Sequence, residues 1–589
     1  QSSGTGLEFF VYDGSWKSLT CKFPDNWVNE WHQVVGVYDK GNIKIYIDGN
    51  LMAERTFADG ISTSSNPIGV GYDPATGRRF DGEMSIGRIY NRALSEEEIN
   101  KQRSLTPSIN EDDDSVILWL DYSDEYEGKD IAGWDYYSEE FAHTNLYKDE
   151  IKGKFYGYGG DFGDRDNDDS FCANGILSPD RTEQPEIKEV KYQYQNFWFD
   201  ADLLELDRRE INVFNESTAK NLNDYDVFWE VLENGFVINE GQVKDIDVGP
   251  NEKGIIKVPF ELPNKVGENK EYYLNISVRL KEGRKWADKG YELSKEQIKI
   301  PVEVKNVGPS VSDKDVFIED NENTYKVKGE DFSFDLDKNT GSFFNYIYKG
   351  EKLIEKGPEL NFWRGKLEND KVSFDPNWES ALNGLEVLDI VVDKNDLGQD
   401  QVLVKINLPS AKDTKATIRY IINGNGEISI KFNVDATENS MGNFLRIGSL
   451  MTLSEGFEKV NWYGNGPVET FQDRKTNGKQ GIWENTVNEF LYPYLKADES
   501  GNLTDVKWIS IENENLENKI LIAAKDKLEA SASHLLAEDI NSANHMYDLN
   551  LRKETFVNLS YASLGTGGAT CGPGPLSKYQ LPSDRVYEW

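Results

Sequence analysis

Strict alternation of apolar and polar side chains, broken by short turn signals and repeated in widely separated stretches, constrains this chain more than any other feature. Ile43, Ile45 and Ile47 alternate with Lys44, Tyr46 and Asp48 between Lys40-Gly41-Asn42 and Asp48-Gly49-Asn50. Leu274, Ile276, Val278 and Leu280 alternate with Asn275, Ser277 and Arg279. Ile428, Ile430, Phe432 and Val434 follow the turn Asn423-Gly424-Asn425-Gly426. A period of two sends alternate side chains to opposite faces of a strand, and Gly or Asn supplies the positive φ that tight hairpins require. Long amphipathic helices are scarce from residue 315 onward, so the pattern predicts antiparallel β-sandwiches there. With 589 residues the chain exceeds what one core supports, and several domains of about 100–200 residues are expected.

Composition narrows the partners. Asp and Glu number 104 against 65 Lys and Arg, a formal charge of −39 that repels nucleic acid and anionic membrane but tolerates a neutral glycan. Aromatic residues make up 12% of the chain, a content that serves sandwich cores as readily as sugar-stacking faces. Cys21, Cys172 and Cys571 lie too far apart to suggest a disulfide framework or a paired-cysteine metal site. No apolar run reaches the length of about 20 residues that a membrane-spanning helix needs, and Gln1-Ser2-Ser3-Gly4 lacks a signal-peptide layout.

Four regions follow: 1–108, 109–195, 196–306 and 315–589. In the first, Trp31-His32-Gln33-Val34-Val35 and the stretch Gly82 to Ile99 flank the hairpin, with Ser95 and Glu98 spaced as a helix capping box. The acidic run Glu111-Asp112-Asp113-Asp114 reads as a solvated linker, and Val116-Ile117-Leu118-Trp119-Leu120 as a short strand. Tyr158-Gly159-Gly160-Asp161-Phe162-Gly163-Asp164, running on to Phe171-Cys172-Ala173-Asn174-Gly175 and Pro179-Asp180-Arg181-Thr182, is too dense in glycine, aromatics and carboxylates for ordinary core. Such a backbone suits the wall of a site, where the chain bends sharply beside a ligand. Pro185 to Tyr192 reads as a helix with proline in its first turn. The region 196–306 has the rhythm of a small sandwich.

The glycine-rich string closely resembles the last strand and loop of the (β/α)8 barrel in bacterial family-two glycoside hydrolases of the β-galactosidase type. Asn361-Phe362-Trp363-Arg364 with Asn369-Asp370, Trp462-Tyr463-Gly464-Asn465-Gly466-Pro467-Val468-Glu469 with Asp473-Arg474, and Gly565-Thr566-Gly567-Gly568 resemble that family's C-terminal domain. The segments before and after the first hairpin resemble the closing strands and terminal helix of a laminin-G-like, concanavalin-type sandwich. The resemblance implies a mostly β, multi-domain C-terminal part of a larger enzyme. Its parts are an incomplete laminin-G-like sandwich inserted in a late barrel loop, the closing barrel segment, an immunoglobulin-like sandwich and a large galactose-mutarotase-like sandwich.

The resemblance also implies retaining hydrolysis of terminal β-galactosides, which needs two carboxyl groups about 5–5.5 Å apart. Both are Glu residues on earlier barrel strands in the family and match nothing here, so this chain alone is expected to be inactive and its partner is the N-terminal catalytic part. Asp161, Asp164, Glu469 and Asp473 are read instead as turn caps or ion-pair partners of Arg165, Arg181 or Arg474. The family's Phe-x-x-Asn, matched by Phe171 and Asn174, implies oxygen ligands for a monovalent cation, Na+, beside the galactose. Mg2+ is a further cofactor expectation for the intact enzyme. Asn174, Glu469 and Cys571 are the candidate substrate-binding residues. Cys571 lies in a string where some relatives carry a sugar-stacking Trp, and Arg364-Gly365-Lys366-Leu367-Glu368 departs from the family's proline-containing turn, so the resemblance does not carry over either loop's sugar contact.

His32, His143, His534 and His545 show no metal-ligand spacing and read as packing or surface residues, although His534 or His545 with a carboxylate would serve an anomer-interconverting enzyme. A non-catalytic carbohydrate-binding protein and a structural cell-surface module are also compatible with these features. The expected location is extracellular or at the cell surface, with the cytoplasm as second choice.

Overall fold

The computed structural model describes residues 6–12, 16–24, 27, 30–57, 86–102, 116–121, 129–130, 156–161, 163, 165–263, 269–302, 312, 314–370, 374–437, 441–516, 518–569 and 571–589. Phe162, Asp164, His143 and the acidic run 111–114 lie outside them. The chain divides into two compact units, Gln1–Cys172 and Ala173–Trp589.

In the first unit, the hairpin of Gly6–Tyr12 and Trp16–Lys22 accompanies a meander of Val34–Asp39, Asn42–Ile47 and Asn50–Thr56. Both meander turns place successive residues at positive φ, Lys40 and Gly41 in one and Asp48 and Gly49 in the other, as two-residue hairpins of this twist demand. Ile43, Ile45 and Ile47 then share one face and are buried with Leu19 and Cys21 of the hairpin. Helix Glu96–Lys101 starts with a complete capping box, Ser95 Oγ accepting from Glu98 N while Glu98 accepts from Ser95 N. The expected apolar strand is present as Val116–Asp121, paired with Ile86–Tyr90. Further on, Asp161 caps its own turn, its carboxylate accepting from Tyr158 N at 2.7 Å. Gly160 sits at φ +101°, and a Cβ on Gly159 would stand 2.9 Å from the Asn167 side chain, so these glycines are set by backbone geometry.

The second unit starts with a turn and helix Glu186–Gln193, with Pro185 at its N-cap. Two sheets form the small sandwich that follows. One runs in the order Glu252–Lys257, Glu210–Asn215, Phe197–Asp200; the other runs Phe236–Gln242, Tyr225–Glu233, Tyr272–Leu280, Glu292–Ile300. Ile211, Val213, Val227, Val231, Leu274, Ile276 and Val278 make its core. The polar members of the central strand are buried as well, Asn275 and Ser277 being 7% and 5% exposed. For Asn275 the reason is a second contact face: Gln297 donates to Asn275 and to the Gln480 carbonyl of the large sandwich, both at 2.9 Å, and accepts from Gln480 N at 2.8 Å.

The large sandwich pairs an eleven-stranded sheet with a five-stranded one, all neighbours antiparallel. Its longest connections in sequence are short in space. Arg446–Leu453, for example, lies between Glu351–Asn361 and Thr555–Ser563. The two sheets close on a continuous apolar core that contains Phe334, Val404, Ile418, Phe432, Phe444, Ile447, Trp462 and Val557. The molecule is mostly β, as the alternation predicts.

Candidate functional site

Three strings separated by up to about two hundred residues of chain meet at one place in the large sandwich. Arg364 follows the strand Glu351–Asn361 and turns inward, where it is 0% exposed. Its Nη2 donates to both oxygens of Asp370 at 3.0 and 3.2 Å, and its Nη1 donates to the Leu564 carbonyl at 3.0 Å. Asn369 donates to the Gly567 carbonyl at 3.2 Å. Asp473, from the second string, accepts from Thr566 N and Gly567 N, each at 2.8 Å. Gly567 sits at φ +59°, with Pro575 N only 2.6 Å from where a Cβ would be, and a Cβ on Gly565 would press on the Asp473 carboxylate at 2.8 Å. The glycines are there because the Asp473 carboxylate grips the backbone of this loop from within. Phe471 is buried beneath, with the guanidinium groups of Arg364 and Arg474 over its ring at 5.6 and 5.2 Å.

Arg474 links this junction to the helix Glu186–Gln193. Its Nη1 is 2.6 Å from Glu186 Oε1, and its Nη2 pairs with Glu469. Tyr494 donates to Glu186 at 3.1 Å and to Glu469 at 3.3 Å, and Gly501 N donates to the other Glu469 oxygen at 2.7 Å. Burial pushes the Glu469 carboxyl up; Arg474 opposes that rise and the Glu186 charge adds to it. One turn further along the helix, Glu189 accepts from Asn477 N at 2.9 Å and Asn477 Nδ2 at 2.8 Å, and also from Thr476. Burial raises the Glu189 carboxyl, but these hydrogen bonds outweigh it and the net direction is down. Ser178 and Tyr492 share a hydrogen bond of 2.9 Å, fixing the turn before the helix to the same loop.

The sequence candidates fall into place unevenly. Glu469 and Asp473 act as ion-pair partner and loop cap, and Asp161 as a turn cap. Asn174 is exposed in the turn before the helix, and Phe171 is 39% exposed. A peptide carbonyl and a carboxamide oxygen are the donor types a hard monovalent cation takes. Among the described residues no group of three or more His, Cys, Asp or Glu forms a metal site. Cys571 is exposed, with its N–H on the Gly568 carbonyl at 3.3 Å. The departing turn is anchored otherwise, Gly365 N donating to Glu499 at 2.7 Å and Lys366 N to Asn541 at 2.8 Å. His32 pairs with Asp48 and stacks on Trp27, His545 stacks on Tyr547, and His534 is buried with one ring nitrogen 2.9 Å from the Glu554 carbonyl and the other 3.0 Å from Glu458.

Sequence reading missed Glu186, Tyr494 and Asp498. Asp498 lies by the turn 364–370, where burial, reinforced by the Glu368 charge, pushes its carboxyl up to about 8. Only the fold brings these groups to the junction, so no local signal marked them.

Helix Glu186–Gln193 is thus docked onto the large sandwich by an ion pair to Arg474 and by hydrogen bonds to Glu189, beside a glycine loop capped by Asp473. Residues 328–589 match the family described as Beta galactosidase small chain, and 211–301 match Beta-galactosidase, domain 4. Residues 120–199 match Glycosyl hydrolases family 2, TIM barrel domain, and 1–100 the Concanavalin A-like lectin/glucanases superfamily. A β-galactosidase of Priestia megaterium is 30% identical over 419 residues, covering 70% of this chain and 40% of the relative. Those of Halalkalibacterium halodurans and Streptococcus thermophilus are each 28% identical, over 77% and 79% of this chain and 44% of each relative. The chain thus spans less than half the length of these curated relatives. It belongs to the family-two glycoside hydrolases, as a C-terminal part of the β-galactosidase type.

Proposed function

We propose that the enzyme to which this chain belongs hydrolyses terminal β-linked galactosides with retention, and that this chain supplies one wall of the sugar pocket. The observation that carries this reading is the convergence of Arg364, Asn369, Asp473 and Gly567 at one junction, tied through Arg474 to the barrel-closing helix. Asn174 and the Phe171 carbonyl hold a monovalent cation beside the galactose, where its charge fixes a sugar hydroxyl. The catalytic carboxylates lie outside this chain, and Mg2+ belongs to the intact enzyme. Glu469 serves the pocket indirectly, by holding Arg474; Cys571 contributes a small side chain where a stacking platform would favour a second sugar ring. The laminin-G-like unit and the acidic surface support an extracellular or cell-surface location, which fractionation of the native cells tests. No helix among the described residues is long and apolar enough to cross a membrane.

The test is hydrolysis of a chromogenic β-galactoside by this chain alone and after mixing with a separately produced part carrying the remaining barrel strands. Activity is expected only after mixing. Activity in this chain alone would move the catalytic carboxylates into it, and no release of galactose from any β-galactoside by the reassembled enzyme would overturn the reading in favour of glycan binding without cleavage. In the reassembled enzyme, Asn174→Ala is expected to raise the Na+ concentration for half-maximal activity about tenfold, a loss typical of damaged cation coordination. An unchanged Na+ dependence would remove Asn174 from the cation site.

A further inference from the structure

Asparagine followed by glycine occurs seven times in this chain, at Asn174, Asn234, Asn383, Asn423, Asn425, Asn465 and Asn477. The pair carries a chemistry of its own, because glycine has no Cβ to shield its backbone nitrogen from the preceding carboxamide. The fold decides which of the seven is free to react. A carboxamide held by hydrogen bonds, or a glycine nitrogen already donating one, has to break those bonds before the two groups meet.

Five of the pairs are tied. Asn234 donates to the Asn269 carbonyl at 3.2 Å and accepts from Glu271 N at 2.8 Å. Asn423 is buried and accepts from Ser312 N at 2.8 Å. Asn425 accepts from Glu427 N at 3.0 Å, and Gly426 N donates to the Asn423 carbonyl at 2.9 Å. Asn465, also buried, donates to Thr504 and accepts from Gln480, both at 2.9 Å. Asn477 donates to Glu189 at 2.8 Å, while Gly478 N donates to the Lys475 carbonyl at 3.1 Å. Asn383 is exposed, but it sits in a turn closed by Leu385 N on the Leu382 carbonyl at 3.2 Å. Asn174 and Gly175 are both exposed, and neither the carboxamide nor the glycine nitrogen has a hydrogen-bond partner among the described residues.

We propose that Asn174-Gly175 is a site of spontaneous, backbone-assisted deamidation, the fastest of the seven in the folded chain. The Gly175 nitrogen attacks Asn174 Cγ, and the new C–N bond closes a succinimide ring. The Cγ–Nδ2 bond breaks, and Nδ2 leaves as ammonia with the proton that Gly175 N gives up. Water then opens the ring at either carbonyl, leaving aspartate or isoaspartate. Nothing beyond these two residues and water is needed. The modified residue is the one read above as the cation's carboxamide ligand. A neutral oxygen there is exchanged for a carboxylate, or displaced by the methylene that isoaspartate adds to the backbone. That consequence rests on the cation reading; the site of modification does not.

The test ages the 589-residue chain folded and, in parallel, unfolded in guanidinium, then maps its peptides by mass spectrometry for the amide-to-carboxylate mass gain and for isoaspartate. In the folded chain Asn174 is expected to change about five- to tenfold faster than Asn234, Asn425 or Asn477, the margin that one restraining hydrogen bond supplies. Asn383 should follow it, with the buried Asn423 and Asn465 slowest. Unfolding should collapse that spread, since each of the seven then has an unrestrained glycine after it. Asn174→Gln, whose ring would be one atom larger and closes far more slowly, should remove the gain from its peptide and leave the other peptides unchanged. A gain that persists there would belong to Asn167 in the same stretch and would overturn the assignment. Asn174 intact after ageing, or changing no faster than the tied pairs, would overturn the proposal, as would a spread that survives unfolding. Galactoside hydrolysis enters none of these readings, so the outcome is independent of the proposed activity.

Discussion

Replacing Arg364 with methionine is expected to lower the stability of the large sandwich by about 3–5 kcal/mol, the range for removing one partner of a buried ion pair. The side chains of Arg364 and Asp370 are 0% and 1% exposed, so no water replaces the lost cation around the carboxylate. Asp370 would keep one donor, Leu367 N at 3.0 Å, which is insufficient for a desolvated charge. The Leu564 carbonyl would lose its Nη1 partner at the same time, loosening the loop that leads to Gly567. Adding Asp370→Asn to the variant removes the stranded charge and should recover part of the loss, giving a coupling of a few kcal/mol in the double-mutant cycle. Denaturant unfolding of the four proteins measures this. A single-variant loss below about 1 kcal/mol would mean that the pair is no stronger than an exposed one, against its geometry.

How much of this was legible in the sequence depended on the range of the interaction. The alternation Ile43-Ile45-Ile47, the positive-φ turns at Gly41 and Gly49 and the Ser95–Glu98 capping box are local, and each is found where the pattern put it. Leu274, Ile276 and Val278 are core residues, as their alternation predicts, but the burial of Asn275 and Ser277 does not follow from alternation. That of Asn275 arises from a second packing face that only Gln297 and Gln480, far apart in sequence, reveal. The strings around Arg364, Asp473 and Gly567 were recognisable one by one. That Asp473 caps the Thr566–Gly567 backbone, or that Glu186 reaches Arg474 across some three hundred residues, depends on sheet order, which no local periodicity encodes. Asp498 had no signal at all, since its raised carboxyl comes from burial and from Glu368, both products of the fold.

Arg474→Ala should have an effect as large, and one that depends on pH. In the parent chain Glu469 is buried beside Glu186, and Arg474 is the cation that both carboxylates share. Without it, only the Glu186 carboxylate and the Tyr494 hydroxyl are left beside the buried Glu469 carboxyl, at an expected cost of about 3–5 kcal/mol near neutral pH. The sign of the pH dependence follows from proton linkage. The folded-state carboxyl of Glu469 is raised above its ordinary value, so between the ordinary and the folded value the folded state binds more proton than the unfolded state. Stability from this group is therefore full below the ordinary glutamate range and falls as pH rises through the folded value. Loss of Arg474 removes the main influence holding that value down, so the window of falling stability widens upward. Unfolding midpoints measured from about pH 5 to about pH 8 should decline in the variant more steeply than in the parent. Glu469→Gln in the same background should flatten the decline, because an amide has no proton to lose. If the variant and parent profiles run parallel, Glu469 does not titrate in the fold and Arg474 acts only through packing on Phe471. The same variant tests the docking of helix Glu186–Gln193, since Glu186 would lose its partner at 2.6 Å while Glu189 keeps Asn477. Faster amide exchange confined to Glu186–Gln193 would show that Arg474 holds this helix against the sandwich.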